Sequence, residues 1–100
     1  MRYSILNGAH EVVECDLLTW AKMFENIDSR RVAYDLVSGE KISTVFIGLD
    51  HSFGNGPALW FETMVFGGPL DQEMERYTTW DEAVAGHQQM VERILSEVQG

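Results

Sequence analysis

Three runs of β-branched and aromatic residues dominate the middle of the chain: "RVAYDLV" (31–37), "KISTVFIGL" (41–49) and "ALWFETMVF" (58–66). Their composition favours strands, and the breaks between them set the topology. Only Ser38-Gly39-Glu40 separates the first two, so they read as a hairpin. Gly67-Gly68-Pro69 ends the third, because glycine weakens a strand interior and proline lacks the ladder donor. "MERYT" (74–78) reads as a short final strand at an edge. The opening "RYSIL" and "HEVVEC" flank Asn7-Gly8, a favoured two-residue hairpin turn, and predict a further strand pair.

Two segments have helical period. Asp16 stands at an N-cap ahead of "LLTWAKMFENI", where Leu17, Trp20, Ala21 and Phe24 recur at spacings of three and four. Thr79-Trp80-Asp81-Glu82 matches a capping box: the threonine oxygen takes one free amide and the glutamate reaches back for another. From there Trp80, Val84, His87, Val91, Ile94, Leu95 and Val98 form one apolar stripe of a helix running to about residue 98. Hairpins with one early and one late helix predict an α+β fold in a single domain, residues 1–100. We expect a mainly antiparallel three- to five-stranded sheet with two helices packed on one face. The opposite face is then left open or taken by a partner.

With 45% apolar and 23% charged residues, the chain has the composition of a globular protein. Cys15 is its one cysteine, so an internal disulfide is excluded and a reducing cytoplasm is the expected compartment. No run approaches the ~20 apolar residues of a membrane span, and "MRYSILNGAHE" is too short and too soon acidic for a signal peptide. Seven Lys+Arg against sixteen Asp+Glu give a net charge of −9. Such a balance argues against direct nucleic-acid or anionic-membrane binding and favours partners with basic surfaces.

His51, Glu62 and His87 are the sharpest candidate cluster. His87 lies on the apolar stripe, and a Glu62 facing inward would need a partner such as His87 or Arg76. Two histidines and a carboxylate also suit zinc or iron, although their spacing fits no metal motif. No cofactor is expected, and a metal-binding or hydrolytic domain on these residues stands as the alternative. In Asp50-His51-Ser52, strand neighbours point to opposite faces, which does not assemble a nucleophilic triad. "GNGPA" (54–58) lacks the G-K-[ST] ending of a phosphate loop and has no helix after it. Glu14 and Asp16 beside Cys15 would raise its thiol pKa and blunt it as a nucleophile. Asp71, Glu73 and Glu75 alternate, with Asp81 and Glu82 just beyond. Together they form an array able to imitate a nucleic-acid backbone and occupy a basic groove.

"STVFIGLDHSFGNGPALWFETMVFGG" and "ERYTTWDEAVAGHQQMVERI", with "CDLLTWAKMFE", resemble a family of small proteins encoded in phage and prophage genomes. The resemblance covers most of the chain. It implies a small accessory protein of mobile elements, acting in the bacterial host cytoplasm by binding host proteins, as short acidic anti-CRISPR proteins do. The expectation is therefore a non-enzymatic inhibitor whose partner is a basic host protein, such as a CRISPR effector. Its expected contact residues are Asp50, His51, Asp71, Glu73, Glu75, Asp81 and Glu82. A virion structural or assembly protein that forms homo-oligomers is a further alternative.

Overall fold

The computed structural model describes residues 2–50 and 56–99. It is an α+β fold. Strands β1 (Tyr3–Leu6) and β2 (Val12–Cys15) form an antiparallel hairpin, followed by α1 (Leu17–Phe24) and one turn of helix, α2 (Ile27–Arg30). A four-stranded antiparallel sheet follows in the order β3 (Arg31–Val37), β4 (Glu40–Phe46), β5 (Phe61–Phe66) and β6 (Met74–Tyr77). Helix α3 (Trp80–Gln99) closes the chain.

The turns show where local chemistry decides. Val37 opposes Glu40, so Ser38 and Gly39 alone connect β3 to β4, at φ of 52° and 83°. Left-handed backbone at both positions matches the strand twist, and glycine accepts it without strain. The first hairpin departs from expectation. Leu6 opposes Val12, which leaves a five-residue loop where Asn7-Gly8 predicted a two-residue turn. The Asn7 side chain takes over instead: its Oδ1 accepts the N–H groups of Ala9 and Glu11, both at 2.9 Å, and its amide donates to Glu11 Oε1 at 3.0 Å. This loop holds His10 at a φ of 62°.

Both helix starts are capped as expected. Asp16 Oδ1 accepts Thr19 N–H at 2.8 Å, and Thr79 and Glu82 exchange the two bonds of a capping box. The buried face of α3 is rotated from the expected stripe, however. Ala83, His87, Met90 and Ile94 are buried, whereas Val84 and Leu95 are substantially exposed. Small Ala83 and Gly86 let this face approach the sheet closely; a Cβ on Gly86 would overlap the Tyr77 ring.

Between α3 and the sheet lie two apolar clusters. One is Ile42, Val65, Met90 and Ile94. The other is Phe46, Trp60, Phe61 and Ala83, with Met23 of α1 packed against it. Thr44, Thr63 and His87 are buried and fall midway between the clusters in β4, β5 and α3, so a polar band divides the core. The β1–β2 hairpin joins the sheet through Ser4 N–H to Gly48 O, at 2.9 Å, and α1 through Trp20 Nε1 to Ile47 O, at 3.0 Å.

The register aligns Tyr34 with Ser43, Met64 and Met74, and Leu36 with Lys41 and Phe66, on the sheet face away from α3. Tyr34, Leu36, Phe66 and Met74 are exposed there, Leu36 by 65%. Among the described residues, no helix is long and apolar enough to cross a membrane.

Candidate functional site

The expected acidic array divides into carboxylates with local duties and carboxylates without. Asp50 Oδ1 accepts Leu59 N–H at 3.2 Å and its other oxygen lies 3.6 Å from Arg2, so it fastens the strand connection. His51 and most of the loop beside it lie outside the described residues. Asp71 Oδ1 caps the turn after β5 through Gly67 N–H at 2.7 Å. Glu73 is ion-paired to Arg93 at 3.2 Å, and Glu82 is committed to the capping box. That leaves Glu75 and Asp81, both exposed and without an ion pair among the described residues.

Of the candidate cluster His51, Glu62 and His87, the last two are not brought together, and His51 lies outside the described residues. Glu62 opposes Arg76 across the ladder on the open sheet face and pairs with it at 3.2 Å. His87 lies on the other side of the sheet, beneath α3, so the backbone separates the two. Strand alternation decides this: Phe61, Thr63 and Val65 take the core face and put Glu62 on the opposite one. Among the described residues, no three acidic, histidine or cysteine side chains form a group able to hold a metal.

His87 belongs instead to a chain of hydrogen bonds that crosses the core. Tyr77 O–H donates to Thr63 Oγ1 at 3.1 Å, the Thr63 and Thr44 hydroxyls bond each other, and Thr44 Oγ1 lies 2.7 Å from His87 Nδ1. His87 Nε2 lies 2.7 Å from Asp35 Oδ2. With a neutral imidazole, one assignment satisfies every atom: Nε2–H donates to the carboxylate, Nδ1 accepts from Thr44, and Thr44 accepts from Thr63. The threonine–histidine–aspartate order invites comparison with a nucleophilic triad. Thr44 is fully buried, however, so no substrate reaches its hydroxyl. The chain satisfies buried polar groups and fixes helix against sheet. Burial and the Glu75 charge push the Tyr77 hydroxyl up, against the pull of its bond to Thr63.

The feature best suited to binding was not legible as a motif. An open groove of about 560 Å³ lies where the β1–β2 loop meets the start of α3. Its lining includes His10, Glu11, Trp80, Asp81 and the largely buried Trp60. The imidazole of His10 stacks on the Trp80 indole, with centroids 3.7 Å apart and planes within 8°. Two carboxylates thus border a cleft lined by aromatic rings. The only signal in the sequence was the tendency of Asn7 to organise a loop, and its alternative as half of an Asn-Gly turn obscured that.

Cys15 remains a poor nucleophile, since partial burial, and then Asp16, push its thiol up. Glu14, expected to act with Asp16, is instead ion-paired to Arg2. No family model matches the chain, and no curated protein or solved structure resembles it significantly, so the site's chemistry has to carry the functional reading.

Proposed function

We propose that this chain is a non-enzymatic, acidic protein-binding module whose partner is a basic, nucleic-acid-binding host complex, in the manner of an anti-CRISPR inhibitor. One observation carries the reading: the fold pairs or buries four of its seven Lys and Arg side chains while leaving some carboxylates exposed and without an ion pair among the described residues. Of seven Lys and Arg side chains, Arg2, Arg76 and Arg93 are ion-paired and Arg30 is buried. Glu75 and Asp81 meanwhile have no ion pair among the described residues, and Asp81 shares the groove with Glu11. Such a surface draws in Arg and Lys by long-range attraction and rejects free nucleic acid. The non-enzymatic part is supported by the burial of Thr44, whose hydroxyl is bonded to His87.

The test is a double charge reversal, Glu75→Lys with Asp81→Lys, measured against a basic partner. Glu73 is left in place because its reversal would also break the pair to Arg93. Affinity should fall by roughly tenfold or more, and its salt dependence should flatten. Unchanged affinity with a native circular dichroism spectrum would sink the assignment.

The exposed Tyr34, Leu36, Phe66 and Met74 favour a second reading, self-association through the open sheet face, as in an assembly protein. Light scattering on the eluting protein decides it: a dimer dispersed by Leu36→Lys supports this reading, and a monomer at high concentration removes it.

A further inference from the structure

We infer that the groove between the β1–β2 loop and the start of α3 is a receptor for a single arginine side chain of a binding partner. The inference deepens the protein-binding reading above and rests on it. A guanidinium is planar, stacks on aromatic faces and donates in a fork that fits carboxylates. The groove presents the matching parts in one place. Its lining brings together the stacked rings of His10 and Trp80, part of the largely buried Trp60, and the carboxylates of Glu11 and Asp81.

The two carboxylates are held in place yet keep acceptor capacity. Asn7 fixes Glu11 through its Oε1 and its backbone N–H, leaving Oε2 for a ligand. Asp81 follows the capping threonine and is exposed, and the cap itself is completed by Glu82. Among the described residues no Lys or Arg lines the groove or pairs with Glu11 or Asp81; the Arg2 guanidinium, which reaches the Trp60 ring, is paired to Glu14. Charge complementarity therefore selects the occupant: an anion meets two carboxylates there, and a neutral ring gains stacking but no charge. The described residues already show the same chemistry three times, with the guanidinium of Arg2 over Trp60 at 5.3 Å, of Arg30 over Phe24 at 3.9 Å and of Arg31 over Tyr34 at 5.1 Å. Lysine would satisfy the charge without the flat stack, so arginine is the preferred side chain.

The test uses the intact chain and three amidated octapeptides, alternating glycine with arginine, lysine or citrulline, followed through the tryptophan indole N–H signals. Trp20 is an internal control, because its indole is bonded to Ile47 O away from the groove. The arginine peptide should move the Trp60 and Trp80 signals and leave Trp20 still. The citrulline peptide should bind at least about tenfold more weakly, with lysine in between. The variant Glu11→Gln with Asp81→Asn keeps shape and fold and should lose about tenfold for arginine alone. Equal affinity for arginine and citrulline peptides, or shifts confined to surfaces away from Trp60 and Trp80, overturns the inference. A basic protein that binds the wild type and this variant equally also overturns it, while leaving the broader protein-binding reading intact.

Discussion

Removing His87 should cost far more stability than removing either end of the chain of hydrogen bonds it joins. His87 is 3% exposed and holds Thr44 on one ring nitrogen and Asp35 on the other. His87→Ala deletes a buried ring and leaves the Thr44 hydroxyl proton without its acceptor. The cavity and the orphaned donor together should destabilise the fold by about 3–5 kcal/mol. Asp35 is about half exposed, and asparagine still offers an oxygen to Nε2–H, so Asp35→Asn should cost less than about 1 kcal/mol. Tyr77→Phe removes one donor from Thr63, which keeps its bond to Thr44, and should cost about 1 kcal/mol. Urea unfolding of the three variants, compared at equal slope, measures this gradient. If His87→Ala costs no more than Asp35→Asn, the polar band does not organise the core and the reasoning fails.

Gly86→Ala should destabilise the protein, although alanine in a helix interior normally gains about 1 kcal/mol over glycine. The new methyl overlaps the Tyr77 ring and evicts it from its bond to Thr63, for a net loss of about 1–2 kcal/mol in thermal or urea unfolding; a gain would show that α3 can shift freely from the sheet. Alkaline titration at 295 nm should resolve one of the three tyrosines above the ordinary range, and Tyr77→Phe should remove that late phase. Because the folded state holds this proton more tightly than the unfolded chain, its contribution is intact below the ordinary tyrosine pKa of about 10 and is lost as pH rises beyond it. Three tyrosines titrating as a single class would contradict the burial assigned to Tyr77.

The strand segments, the β3–β4 hairpin and both expected helix caps were legible because each rests on local chemistry. The runs 31–37 and 41–49 and the Ser38-Gly39 turn specify a hairpin on their own, and Asp16 and Thr79 act within three residues of themselves. What depended on contacts distant in sequence was not legible. The α3 stripe was read from its large apolar residues, yet Ala83, Gly86 and Met90 face the sheet, since close approach rewards small side chains there. Glu62 was assigned no face until the ladder placed it opposite Arg76. The His87 partners, Thr44 and Asp35, lie 43 and 52 residues away and carry no spacing signal. The acidic array was visible as composition, but which carboxylates serve the fold could be told only from their bonds. The groove joins residues 10–12, 60 and 78–81, and no local pattern announces such a meeting.

The most direct test of the protein-binding reading is affinity capture by the immobilised protein from bacterial lysate carrying active CRISPR systems, at low and at high salt, with retained proteins identified by mass spectrometry. The account predicts a stoichiometric nucleic-acid-binding complex that is retained at low salt and lost at high salt. Recovery of the protein alone at both salt concentrations would contradict it.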